Sequence, residues 1–443
     1  MNFREAVDNV ISKISGRQKA FLRDSKVFCM APWIQLHAQT NGLVAPCCMS
    51  AVHDNNELGD LRKNPDLRAA WNSENMKQLR MNMLQGKTSS ICNHCYDYEK
   101  VGKFSERMQY NRDFRRYFPR VNSTRKDGSL KETSVPLIDL RFSNKCNYKC
   151  RICDSAFSSI WYDEEQKIGR PRRPPTFDSE KEIKMAADEK KFWESYEPML
   201  PYVERLHFAG GEPLVMDEHY RTLDFLISLG KTDVTLSYNT NFSTLRYKKY
   251  NVIKLWNQFK KVDVWASLDG MGEQGDYQRK GQHWHKIEEN IRVVQKECPT
   301  VLFGVNVTVS IFNILRVPEF YRYMVDNKFV EPDRMNLYLL FDPSYFNITN
   351  LTPVLKEKVL RRFEDFEKDY LSCIPKSDNI KNHVKAVLAF MQSENGTQQK
   401  EFQHWVNAVD KLRGEKFTSV FPELAEMMHY ESEVLSPERE PGE

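Results

Sequence analysis

The sequence has no apolar run approaching the length of a membrane span. Its start, Met1-Asn-Phe-Arg-Glu-Ala-Val-Asp8, puts charges where a signal peptide needs an apolar stretch, so a cytoplasmic location is expected. It has no strong charge of either sign. The 65 Lys and Arg against 61 Asp and Glu leave +4, too mild a balance to announce a nucleic-acid partner. Internal repeats are missing too, which removes solenoid and propeller architectures. What is present is length and cysteine. At 443 residues the chain has room for two or three domains around one large core. Its ten cysteines, in a reducing compartment, argue for metal or redox chemistry rather than disulfides.

Eight of the ten fall in clusters, and Cys298 and Cys373 stand alone as ordinary thiols. The tightest cluster is Ser143-Asn-Lys-Cys146-Asn-Tyr-Lys-Cys150-Arg-Ile-Cys153, with C-x3-C-x2-C spacing on the loop that leaves an apolar strand, Val135 to Phe142. Three thiolates on one loop suit a [4Fe–4S] cube whose fourth iron has no protein ligand, whereas structural zinc normally takes four ligands. The second group is spread over residues 28 to 96. Trp33–Ala38 alternates as a strand, Asn41-Gly42 is a hairpin turn, and Leu43–Ala45 begins the return, bringing Cys29 and Cys47 towards one end of a small sheet. Helical text with Leu67, Ala70, Trp71, Leu79 and Met83 follows, then Gly86 as a stop, then Cys92-Asn-His-Cys95. Four thiolates so arranged close a tetrahedral site for zinc or a second [4Fe–4S] cluster, and spacing alone does not choose. Cys48 is a competitor to Cys47. His37, His53 and His94 are read as surface or packing residues.

The chain divides into a lead-in (1–26), the cysteine-rich module (27–103), a basic linker with interleaved aromatics (104–134), an α/β core (135–342), a helical charged extension (343–430) and an acidic tail (431–443). The linker reads first as a solvated basic face and second as a contact for an anionic substrate or nucleic acid. In the core, six strands are expected at Pro136–Phe142, Val203–Phe208, Val234–Tyr238, Val262–Ser267, Leu302–Val309 and Met335–Phe341. Helices are expected at Tyr220–Leu229, Tyr247–Phe259, His285–Cys298 and Val317–Asn327. Alternation of this kind implies a parallel sheet with right-handed crossovers, open or rolled into a partial barrel, and active residues at strand C-terminal ends. The segment Gly169–Phe177 reads as a basic, proline-rich surface insertion.

At the exit of the second core strand stands Ala209-Gly210-Gly211-Glu212-Pro213, where two glycines permit close approach and a glutamate faces an ammonium group. Together with Cys146, Cys150 and Cys153, Tyr238-Asn-Thr240-Asn241, Ser267-Leu-Asp269-Gly270 and Arg279, this resembles the radical SAM superfamily over about residues 135 to 341. The resemblance implies a partial (β/α)6 TIM-like barrel. It also implies a [4Fe–4S] cluster on Cys146, Cys150 and Cys153, and S-adenosylmethionine chelated to the open iron. That cofactor is cleaved to methionine and a 5′-deoxyadenosyl radical, which abstracts a substrate hydrogen. By position, Gly210, Gly211 and Glu212 would hold the methionine amino group, and Asn241, Ser267 and Arg279 would contact the cofactor. The plainer readings are a turn cap for Asn241, a strand-end hydroxyl for Ser267 and a solvated charge for Arg279. Two positions depart from the family: Ile152 stands where an aromatic is usual, and Phe242 where glycine is common.

Residues 28 to 96 resemble the auxiliary-cluster extension called SPASM, or its shortened twitch form, through Cys29, Gly42 with Cys47, the Leu58-Gly59 stretch, and Cys92 with Cys95. In the family this module follows the barrel; here it precedes it. The resemblance implies one auxiliary [4Fe–4S] cluster on Cys29, Cys47, Cys92 and Cys95, a reductant such as flavodoxin or ferredoxin, and a peptide or protein side chain as target. The alternatives are a small-molecule or nucleotide substrate, a non-catalytic iron–sulfur protein, and a zinc-stabilised nucleic-acid binder.

Overall fold

The computed structural model describes residues 21, 24–51, 57–100, 105–170, 180–393 and 396–430. Most of the lead-in, His53, residues 171–177 of the insertion and the acidic tail lie outside the described residues. Thirteen strands form among them: β1 (Gln35–Ala38), β2 (Leu43–Ala45), β3 (Gly59–Asp60), β4 (Leu137–Leu140), β5 (Lys149–Cys150), β6 (Arg205–Phe208), β7 (Thr235–Thr240), β8 (Arg246–Tyr247), β9 (Tyr250–Asn251), β10 (Lys261–Ser267), β11 (Arg279–Lys280), β12 (Val301–Val309) and β13 (Met335–Leu339). The six expected core strands are β4, β6, β7, β10, β12 and β13, and helices alternate with them, so the fold is α/β. The chain forms two compact units. One holds residues 1–145, 177–238 and 257–262; the other holds 146–176, 239–256 and 263–443.

In the first unit the strand order is β7-β6-β4-β1-β2-β3. Strands β1, β4, β6 and β7 run parallel, and β2 and β3 add antiparallel at the β1 side. The cysteine-rich segment therefore supplies a strand that pairs directly with the first core strand, Gln35 opposite Leu137 through Ala38 opposite Leu140. In-register neighbours on parallel strands share a face. Two rows, Leu36-Ile138-Leu206-Leu236 and Ala38-Leu140-Phe208-Tyr238, are buried and apolar apart from one phenol. The row between them, His37-Asp139-His207-Ser237, points the other way and is polar. A helix over Asp217–Ser228 links β6 to β7 and buries His219, Tyr220, Leu223 and Leu226.

Local chemistry explains where elements depart from expectation. Trp33 and Ile34 belong to a one-turn helix, Ala31–Ile34, because Pro32 pre-sets the helical φ in its first turn. The helical text before Gly86 is two helices, Leu67–Trp71 and Glu74–Leu84; the Ser73 hydroxyl accepts from Met76 N and starts the second. The stretch 104–134 contains helices Glu106–Asp113 and Phe118–Asn122. Several of its arginines are paired: Arg107 with Glu99 at 2.6 Å, Arg116 with Glu204 at 2.5 Å and Arg120 with Glu132 at 2.8 Å.

In the second unit the order is β10-β12-β13, with β12 and β13 parallel, flanked by helices Trp284–Glu297 and Val317–Asp326. The helix expected from Tyr247 begins only at Val252, because Arg246–Asn251 folds into the β8–β9 hairpin with Lys248 at φ 50°. A second ribbon pairs β5 with β11, placing Cys150 opposite Arg279. The C-terminal extension forms helices Pro353–Phe366, Asp378–Ser393, Gln399–Arg413, Phe417–Val420 and Pro422–Met427. Phe402 and Phe417 from these helices pack on Phe312 with ring centroids 5.6 and 6.1 Å away. No helix among the described residues is long and apolar enough to cross a membrane.

Candidate functional site

In the first unit, Cys29, Cys47, Cys92 and Cys95 act on one another electrostatically, so the four thiols come together. Each is delivered by a separate element: Cys29 just before the Ala31–Ile34 turn, Cys47 just after β2, Cys92 closing a 3₁₀ turn and Cys95 in the helix Asn93–Lys100. Cys29 is braced by groups from the supposed linker. Arg107 Nη1 and Asn111 Nδ2 donate to Phe28 O at 2.7 and 2.8 Å, and Met30 N donates to Asn111 Oδ1 at 3.0 Å. Ala31 N lies 3.5 Å from the Cys29 sulfur, and Ser50 Oγ is 3.4 Å from that of Cys47. Burial, then repulsion among the thiols, pushes Cys47 and Cys92 up to about 12 and raises Cys29, while burial with Glu106 and Glu99 raises Cys95. Four such groups ionise together only when a cationic core replaces their protons, so the donor set fits a metal cluster. Cys48 is exposed, and its charged neighbours beyond Cys47 are Asp139, Arg141 and Glu106 rather than the other three thiols.

In the second unit, Cys146, Cys150 and Cys153 likewise form one electrostatic group, and burial raises Cys150 and Cys153. Cys153 N donates to Cys150 O at 3.0 Å, closing the turn that carries both. The indole of Trp161 donates to Cys150 O at 2.9 Å. Arg279 Nη1 is 3.7 Å from the Cys150 sulfur and its Nε is 2.8 Å from Asp269 Oδ2, while Thr308 N holds Asp269 Oδ1 at 2.8 Å. Burial works against the guanidinium, but Asp269 outweighs it and keeps Arg279 charged. Among the described residues, no three Cys, His, Asp or Glu side chains are closed around a point as a single metal ion would hold them.

The C-terminal helices reach this loop, which the motif pattern did not reveal. Arg151, buried between Cys150 and Cys153, lies 3.6 Å from the Tyr277 ring centroid. Its Nη2 bonds Asp410 Oδ1 at 2.5 Å and Glu415 Oε2 at 2.6 Å. Tyr277 OH donates to the same Asp410 oxygen at 2.7 Å, and Phe417 N donates to the other at 2.6 Å. Glu415 also takes Lys280, and Glu164 takes both Lys149 and Arg413. An arginine between two motif cysteines was the one available signal, and its burial shows only in the structure; nothing near Asp410 or Glu415 pointed to it.

The Gly210-Gly211 pair has a structural use in the first unit. Gly210 sits at φ 112°, and a Cβ on Gly211 would stand 2.0 Å from Lys145 O. Gly211 N and Glu212 N donate to Ser143 O and Lys145 O at 3.2 and 2.8 Å, so the strand exit nests on the chain entering the cysteine loop. Glu212 is buried and accepts from Leu214 N at 3.0 Å. In the second unit, Asn241 Oδ1 caps Ser243 N at 3.0 Å; its Nδ2 donates to Asn147 Oδ1 at 2.8 Å and lies 4.0 Å from the Cys146 sulfur. Phe242 takes φ 57°, a left-handed conformation that explains why glycine suits this position, and packs 5.0 Å from Phe303. Ser267 ends β10, half-buried.

Residues 29–96 match the SPASM family, an iron–sulfur cluster-binding domain. The segment so matched contains Cys29, Cys47, Cys92 and Cys95. No curated protein matches the chain. Among solved structures, the native anSMEcpe complex with AdoMet and Cp18Cys peptide is 18% identical with TM-score 0.37, over 53% of this chain and 60% of that one. Streptococcus suis SuiB bound to precursor peptide SuiA is 15% identical with TM-score 0.37, over 79% of this chain and 71% of SuiB. TYW1 with a lysine–pyruvate adduct is 12% identical with TM-score 0.27, over 50% of this chain and 70% of that one. The chain thus spans about three fifths of the first of these. The SPASM segment and β4 share one sheet, and its first cysteine is held by Arg107 and Asn111 from beyond residue 96.

Proposed function

We propose that the chain is a radical S-adenosylmethionine enzyme with an auxiliary [4Fe–4S] cluster in its SPASM segment, acting on a peptide or protein side chain. The observation that carries this reading is the grouping of Cys146, Cys150 and Cys153 on one loop with Arg279, locked by Asp269, against Cys150. When bound, a four-iron cluster with an open iron supplies reductive cleavage of S-adenosylmethionine and hence a 5′-deoxyadenosyl radical for hydrogen abstraction. The three thiolates hold the cluster, and Arg279 offsets their negative charge in a dry site. Gly210, Gly211 and Glu212 receive the methionine ammonium, and Asn241 and Ser267 meet the rest of the cofactor. Cys29, Cys47, Cys92 and Cys95 hold the auxiliary cluster. A flavodoxin or ferredoxin provides the electrons. The peptide assignment rests on the resemblance of the sequence to the auxiliary-cluster branch.

The test is anaerobic purification and reconstitution, with iron, sulfide and zinc counted and 5′-deoxyadenosine assayed under dithionite. About eight irons and eight sulfides with turnover of S-adenosylmethionine are expected. About four irons with one zinc would reduce the SPASM segment to a structural clip, and little iron under any condition would sink the reading.

A further inference from the structure

Within the first unit, the polar row on the sheet is an acid–base chain that no packing role explains. His37, Asp139, His207 and Ser237 occupy matched positions on β1, β4, β6 and β7. His37 Nδ1 is 2.9 Å from Asp139 Oδ2, and His207 Nδ1 is 3.1 Å from Ser237 Oγ. His37 is wholly buried, yet neither of its ring nitrogens makes an aligned hydrogen bond, and neither does the neighbouring Asp139 Oδ1. An apolar row like those on the opposite face would be the more stable filling for such a position. With Nδ1 beside a carboxylate, the tautomer that carries its proton on Nδ1 leaves Nε2 as a buried, unpartnered base.

The position of His37 gives that base a partner. Its direct cross-strand neighbour is Ala45, two residues before Cys47, so His37 and a thiol of the SPASM site are carried by one short hairpin. We propose that His37 takes up the proton that accompanies reduction of the SPASM cluster: one electron enters the cluster, one proton forms the N–H bond at Nε2, and the net charge of the region is unchanged. Both leave a substrate-derived radical, which is thereby oxidised to a closed-shell product. The inference rests on the reading that the SPASM segment holds a [4Fe–4S] cluster.

Asp139 on β4 and His207 on β6 act on His37 directly; around these two stand Arg141 just after β4, Arg205 on β6, and Cys48 beyond β2. Tyr110 and Glu106 come from the helix Glu106–Asp113, and Tyr110 donates to Gln35 beside His37. Asp139 is pushed up by burial but held well below the usual carboxylate range by His37, His207 and Arg141, so it stays an anion that can steady an imidazolium. His207 is lowered by burial against the pull of Asp139.

The test is a mediated redox titration, followed by electron paramagnetic resonance, on the reconstituted full chain and on a Cys146→Ala, Cys150→Ala, Cys153→Ala variant that retains only the SPASM cluster. The reduction equilibrium is expected to shift tenfold per pH unit over the window of proton uptake, about 59 mV for one electron. His37→Gln removes the slope, and Asp139→Asn displaces the window. A loaded cluster whose potential is independent of pH in the unsubstituted chain overturns the inference, and so does a slope that survives His37→Gln. A SPASM segment that takes up no iron removes the reading beneath it instead, and the two failures are told apart by the iron count of the triple variant.

Discussion

The two groups of thiols are held in opposite ways. The SPASM site draws its four sulfurs from four elements spread over residues 29 to 95, and their mutual repulsion is offset mainly by backbone amides, Ser50 and Arg107. The loop of Cys146, Cys150 and Cys153 is local, and it is caged by charge: Arg279 with Asp269, and Arg151 with Asp410 and Glu415. A site assembled from distant elements depends on the packing of its whole unit. A site on one loop depends on whatever fixes that loop, here partners more than 250 residues away. Redox tuning follows the same division, because hydrogen bonds and nearby charge set a cluster's potential.

The comparison breaks most completely at the ligands. Cys150→Ala is expected to remove about four of about eight irons and abolish 5′-deoxyadenosine formation, whereas Cys95→Ala removes the other four, as iron and sulfide analysis would read. Next is the cage. Arg151→Met leaves Asp410 buried without its cation and Glu415 with Lys280 alone, and a loss of about 3 kcal/mol in denaturant unfolding is expected. Iron should leave the cysteine loop while the SPASM cluster persists; equal loss from both sites would show that the cage is not specific. Gly211→Ala forces a methyl onto Lys145 O, with an expected cost of about 3 kcal/mol and a lower melting temperature. A smaller effect concerns acid. His219, held down to about 3 by burial, is neutral when folded, whereas its unfolded counterpart protonates near pH 6.5. Its contribution is therefore complete above about pH 6.5 and lost as pH falls towards 3, by at most about 1.4 kcal/mol per pH unit. Urea midpoints of metal-free protein should show this decline, and His219→Phe should flatten it. The smallest effect expected is at Cys48: Cys48→Ala should leave the iron count of both sites unchanged, and a loss of about four irons would move the ligand assignment from Cys47.

Much of the fold was legible because it is periodic and local. Strands β4, β6, β7, β10, β12 and β13 announced themselves as short apolar runs, and both cysteine groups were visible as spacings. Short elements were misread where one residue outweighed the pattern, as Pro32 did for Trp33 and the β8–β9 hairpin did for Tyr247. The long-range partners were hidden for a different reason. His37, Asp139 and His207 meet only through the register of parallel strands separated by long crossovers, and register has no local signature. His37 looked like a packing residue because the carboxylate beside it lies about a hundred positions away. Arg151 and Asp410 are 259 residues apart, and each alone reads as a surface charge.

The pairing of β1 with β4 also bears on how the protein is born. Ribosomes add roughly 5–20 residues per second, so the hairpin that carries Cys47 emerges about 5–20 s before the strand it must lie against. Until β4 arrives, the hairpin lacks the strand that covers Leu36 and Ala38, and the nearby Cys47 and Cys48 remain open to oxidants. Completion of the sheet around the SPASM segment is therefore timed by synthesis of a strand that lies outside that segment.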